Sequence, residues 1–262
     1  MGSATTHALA TTTAELKTAH VSDLEVAREL FTAAREIADS AQLSGALSSW
    51  GAPGAARAQV MRTVFAGFGE TSRQLLAAAA AERWSSVEDL VSGIEELAIR
   101  AAAMAATGTD LEGELFQFSR AVGGNAELEL ALGSRLGDAS AKGALVSTLL
   151  SGRASEATTL IVSELVQQPR ERRVRSLLGR ALKIVADQRG STVATVRVAN
   201  ALDAAQQGRL AAALGAKYGS DVTLNVVVDP TVLGGVRVEI GDDAIDATVS
   251  SRINDLRQRL AG

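Results

Sequence analysis

The densest set of chemistry-bearing side chains is a run of arginines, Arg170, Arg172, Arg173 and Arg175, with Arg180 one to two turns further on. Guanidinium groups at this density can grip phosphates, and a nucleic-acid-associated adaptor built on residues 170–180 is the alternative reading. No aromatic side chains interleave for base stacking, Pro169 suits a first helical turn, and the chain carries a net charge of −4. A solvated helix face, or a surface for an acidic protein partner, is the better expectation. Gly234-Gly235 would cradle a phosphate only at the start of a helix, and a strand pattern follows it instead. Residues 137–142 lack both phosphate-loop spacing and a preceding strand. The two histidines, His7 and His20, do not stand at metal-ligand spacing. Glu95-Glu96 and Asp242-Asp243 are sequence neighbours, which diverge by about 100° on a helix and both face water in a turn. No nucleophile, base and orienting group form a set, so no enzyme, cofactor or metal site is expected.

The elements that hold these residues follow from composition and period. The chain has 262 residues, 47% apolar but only 3% aromatic, and no cysteine. Cores of that kind come from close helix packing. Disulfides and thiolate metal sites are excluded. No apolar run reaches the ~20 residues that span a bilayer, and no signal peptide is read at the start, so membrane association is expected only through a partner.

Residues 1 to about 19 read as a first helix with Leu9 and Leu16 as anchors. Ser22-Asp23 offers the cap of a second, carrying Leu24, Leu30, Phe31, Ala34 and Ile37. Gly51, Pro53 and Gly54 break the pattern. A short helix with Val60, Met61, Val64 and Phe65 then ends at Gly67. Another carries Leu75 and Leu76 to Trp84, and a longer one runs from Ser85-Ser86 to about Ala106. The pattern then recurs at an offset of 85: Leu30-Phe31 returns as Leu115-Phe116, Leu43 as Leu128, Leu47 as Leu132, Arg57 as Lys142, Thr63 as Thr148, Gly67 as Gly152 and Leu75 as Leu160. Past that point the offset becomes 87, which puts about two extra residues near 167–172. The expectation is two related helical bundles, residues 1–106 and 107–190.

Residues 191–262 read differently. Ala194, Val196 and Val198 mark a strand, and Asp203 caps a helix to Tyr218-Gly219. Val222, Leu224, Val226 and Val228 alternate with other residues, as do Val236, Val238 and Ile240, and the two runs are expected to pair. Asp229-Pro230 and Gly234-Gly235 shape the turn between them, and Gly241-Asp242-Asp243 closes a second. Val249, Ile253, Leu256 and Leu260 form the stripe of a terminal helix. The fold class is mainly α with a small C-terminal α/β domain.

The stretch VVVDPTVLGGVRVEIGDDAIDATVSSRI resembles the C-terminal region of the delta subunit of F-type ATP synthase, the oligomycin-sensitivity-conferring protein family. Its Asp-Pro, Gly-Gly-Val and Ile-Gly-Asp elements stand in the family's order. Asp246-Ala247 departs from it, where a glycine turn is more usual. Residues 83–98 and 165–178 resemble a longer bacterial form. The resemblance implies a non-catalytic stator subunit at the cytoplasmic face of the cell membrane. Its helical part would bind N-terminal helices of the alpha subunits, through helices holding Leu75, Leu76, Leu160 and Ile161. Its C-terminal domain, shaped by Asp229, Pro230, Gly234, Gly235 and Gly241, would hold the b-subunit stalk.

Overall fold

The computed structural model describes residues 2–48, 51–134, 137–170, 173–241, 243–251, 253 and 257. Contacts divide the chain into two compact units, residues 1–185 and 186–262.

The first unit is helical. α1 (Ser3–Thr18), α2 (Glu25–Asp39), α3 (Ala41–Leu47), α4 (Gly54–Val64), α5 (Glu70–Ala81) and α6 (Val87–Ala105) are followed by α7 (Leu111–Gly123), α8 (Ala126–Gly133), α9 (Ala139–Leu150), α10 (Glu156–Gln167) and α11 (Val174–Arg189), which runs on past the unit's end. The helix starts repeat as the side chains do: counted from their first residues, α2 to α5 fall on α7 to α10 at 85 or 86 positions, and α6 on α11 at 87.

The repeat extends to the polar groups that fix the helix ends. Ser40 caps α3 by accepting from the amide of Leu43, and Asn125, 85 positions on, caps α8 by accepting from Leu128. Glu29 Oε1 accepts from the amide of Gly69 at 2.8 Å, just before α5. Its counterpart Glu114 accepts from the amide and hydroxyl of Ser155, at 2.9 and 2.6 Å, and from the hydroxyl of Thr158, at the start of α10. A carboxylate suits a helix N-terminus, where unpaired amides and the helix dipole both favour negative charge.

Residues 1–185 form one unit, with no parting at residue 106. The reason lies in α6. Moved by the same 85 positions, α1 lands on it: Thr5, Ala8, Thr12 and Leu16 correspond to Leu90, Gly93, Leu97 and Ala101, all buried. One helix thus ends the first set of helices and begins the second. Residues 93–103 of α6 are buried without a break, and the helix touches α1, α2, α5 and α10. A helix covered on every side is a core element and cannot mark a domain boundary. Gly93 admits Trp84, whose ring would lie 2.2 Å from any added Cβ.

In the second unit β1 (Ser191–Val198), β2 (Asp221–Val228), β3 (Gly235–Ile240) and β4 (Asp243–Thr248) form a four-stranded sheet, order β2-β1-β3-β4, and α12 (Ala204–Tyr218) packs against it. Asp203 and Gln206 make a reciprocal capping box on α12, and Gly219 ends it at φ 72°. Ala194, Val196, Val198, Leu214, Val238 and Ile240 are the core.

The expected pairing of residues 222–228 with 236–240 does not occur, because β1 lies between them. The α12 crossover returns β2 parallel to β1, and β3 takes the other edge of β1 antiparallel. Residues 229–234 span the end of β1, where the amide of Asp229 donates to the carbonyl of Val198 at 2.8 Å. The alternation pattern does not announce β4, since Asp243–Thr248 holds a single large apolar side chain, Ile245. Helical residues do begin at Val249, but Val249 and Ile253 are 44% and 43% exposed. Leu256, Leu260 and Asp242 lie outside the described residues.

Candidate functional site

The four side chains expected to line partner grooves are core residues. Leu75 and Leu76 on α5, and Leu160 and Ile161 on α10, are 2%, 0%, 9% and 0% exposed. They face the cluster that also holds Ile94 and Leu97 of α6. The three leucines and the isoleucine set the packing of α5 and α10 on the core. Sequence spacing identified an apolar stripe correctly and could not tell an inner stripe from an outer one.

The arginine cluster is not a free cationic face. Arg170 is bound to Glu95, and Arg180 donates to Glu96 Oε2 at 3.1 Å and lies 3.9 Å from Glu95. Glu96 Oε1 also accepts from Arg100 at 2.8 Å, and Arg175 reaches Glu129 at 3.2 Å. Glu95, Glu96 and Arg100 are buried. Buried carboxylates require such partners, so this is an internal ion network rather than a phosphate grip. Arg172 lies outside the described residues. A second set of polar pairs joins α2 to α10 and the residue after it: Arg28 with Glu156, Arg35 with Glu164 at 3.0 Å and with Gln167 at 2.9 Å, and Asp39 with Gln168 at 2.9 Å. Burial raises the Glu164 carboxyl above its usual range, and Arg35 offsets this only in part.

In the second unit, Asp229 Oδ1 accepts from the amide and hydroxyl of Thr231 at 2.9 and 2.6 Å, a tight turn that Pro230 pre-sets. Gly234 and Gly235 have φ of 132° and 82°, and a Cβ on Gly235 would stand 2.3 Å from the carbonyl oxygen of Ala247. Gly241 turns β3 into β4 at φ 58°. These turns leave Leu233 78% exposed, with Val228 and Val249 also prominent on the surface. Arg197 and Arg237 stand opposite each other on neighbouring strands, both near Glu239, and line a polar hollow with Asp229 and Asp246. The hydroxyl and amide of Thr248 hold the Asp246 carboxyl below its usual range, so the residue that departs from a glycine turn has a structural part in β4.

Among the described residues no group of His, Cys, Asp and Glu side chains could hold a metal ion, and no helix is long and apolar enough to cross a membrane.

Comparison with known proteins gives a consistent result. The family model described as ATP synthase delta (OSCP) subunit matches residues 98–260. ATP synthase subunit delta of Leifsonia xyli is 48% identical over the full length of both chains. The protein of that name from Renibacterium salmoninarum is 35% identical over 91% of each chain, and that of Streptomyces griseus 44% identical over 69% of this chain and 68% of its own. A chain in the cryo-EM structure of the Toxoplasma gondii mitochondrial ATP synthase hexamer is 18% identical, covering 63% of this chain and 97% of its own, at a TM-score of 0.37, too low to carry weight.

Proposed function

The chain belongs to the ATP synthase delta (OSCP) family, whose members are non-catalytic structural subunits of that complex, and from this premise we propose that it is the stator link between catalytic head and stalk. In this reading residues 1–106 hold one head-binding bundle and residues 107–190, completed by α6 of the first, hold its second copy, and each takes an N-terminal helix of an alpha subunit. Residues 191–262 hold the end of the b subunit. The protein sits at the cytoplasmic face of the cell membrane through the complex, and coupling depends on its holding both partners while the rotor turns.

The observation that carries the reading is the division into two units, each with its own core and its own exposed apolar side chains. A link needs two ends that fold separately. It also needs stiffness, and the buried α6 with the polar pairs between α2 and α10 supports that in the helical end.

Fragments test it. Residues 1–190, which keep α11 whole, are expected to co-purify with head subunits and not with the stalk, and residues 191–262 the reverse. Stalk capture by the long fragment would overturn the assignment.

A further inference from the structure

The first set of helices carries an open apolar groove whose floor, Leu43, belongs to the core and whose α4 wall reaches the surface at Val64. It runs between α2, α3 and α4, has a volume of about 640 Å³, and is walled by Leu43, Val60 and Val64. Val60 and Val64 stand one turn apart on α4, and Val64 is 49% exposed. The rim carries the carboxylates of Glu36 and Asp39, and the lining includes no lysine or arginine.

The apolar wall occurs twice. Eighty-five positions on, Leu128, Ala131, Leu145 and Leu149 stand for Leu43, Ala46, Val60 and Val64. Leu145 is 38% exposed and Ala131 is exposed as well. Leu43 belongs to the core and Val60 and Leu128 pack against it, whereas Ala46, Val64, Ala131 and Leu145 reach the surface, where packing makes no demand for an apolar side chain. The shared pattern on the outer face of α3 and α4, and again on α8 and α9, therefore points to a binding surface.

We propose that the α2–α3–α4 groove is a docking site for an amphipathic helix of another polypeptide, seated by its apolar stripe on Leu43, Val60 and Val64. Basic side chains flanking that stripe face Glu36 and Asp39. Charge selects this occupant. The acidic rim opposes an anionic lipid surface and an acidic helix alike, while lysines or arginines beside the stripe meet two carboxylates at once. Two valines a turn apart match apolar anchors spaced three to four residues apart on the incoming helix.

The test uses the full chain and a fluorescent 18-residue helix of leucine and lysine in amphipathic spacing, with a leucine–glutamate version as its charge mirror. Fluorescence anisotropy is expected to give saturable binding of the lysine helix and at least tenfold weaker binding of its mirror. Val64→Asp should weaken the lysine helix at least tenfold with the thermal melt unchanged. Glu36→Lys, at an exposed position that leaves the core untouched, should weaken the lysine helix at least threefold and strengthen the mirror. Equal binding of both helices, or binding indifferent to Glu36→Lys and Val64→Asp, would overturn the proposal. So would a dimer of the chain that Val64→Asp abolishes, because the groove would then belong to a second copy. These readouts need no other subunit of the complex, so they stand whether or not the stator reading does.

Discussion

Arg57 on α4 and Lys142 on α9 occupy the same place in the two sets of helices, 85 positions apart, and both are buried with their cations against backbone carbonyls. They do unequal work. Arg57 donates to the carbonyls of Ala80, Ala81 and Glu82 at 2.9, 3.0 and 3.2 Å, closing the end of α5, and to Ala52 at 2.6 Å. Lys142 donates to the carbonyl of Ser134. Arg57→Met leaves several buried acceptors without their donor and is expected to cost about 2–4 kcal/mol, against about 1 kcal/mol for Lys142→Met. Urea unfolding of the two variants checks the order.

The glycine turn separates two neighbours. Gly235 combines φ 82° with backbone atoms where a Cβ would stand, whereas a Cβ on Gly234 meets only the side chain of Val249 at 3.3 Å. Gly235→Val is expected to lose about 1–3 kcal/mol from backbone strain alone, more once the clash with β4 is added. Gly234→Val, at φ 132°, should carry the backbone strain without the backbone clash and so lose less in total. Hydrogen exchange of the β3 and β4 amides should rise in the Gly235 variant, with the helices of residues 1–185 unchanged.

Leu76 and Ile161 have no exposed surface, so Leu76→Asp and Ile161→Asp should abolish cooperative unfolding rather than remove a binding site selectively. Circular dichroism melts decide this. A native melt with selective loss of head binding would return these residues to a partner groove.

Glu164 gives a pH dependence of definite sign. Its folded pKa is raised, so its favourable contribution is complete below the unfolded value of ~4.3 and is lost as pH rises through the folded value. Glu164→Gln keeps an acceptor for Arg35 without the charge. Relative to the wild type it should therefore gain stability as pH rises from about 4 to 7. A relative loss over that range would mean that the ion pair with Arg35 outweighs burial.

Much of this structure was legible in the sequence, and the failures share causes. Helix positions, the offset of 85 and the glycine turn follow from period and backbone chemistry, which act locally. The order of the sheet does not, because β2 and β3 each look like a partner for the other until α12 is seen to bring β2 beside β1. β4 was hidden by its aspartates and alanines. The double role of α6 could be read from Leu90, Gly93, Leu97 and Ala101 against the polar Thr5 and Thr12 only with burial in hand. Glu95 and Glu96 looked like solvated neighbours, since nothing in linear spacing announces Arg170 and Arg180 as their partners.

The link between head and stalk is tested most directly in membranes that carry the complex, by comparing ATP-driven proton pumping with ATP hydrolysis. With residues 191–262 deleted from the chain and α11 left whole, hydrolysis should persist while pumping per ATP falls at least tenfold, because the head is no longer held against the turning rotor. Pumping at the wild-type ratio, with the truncated chain verified in the complex, would contradict the proposed role.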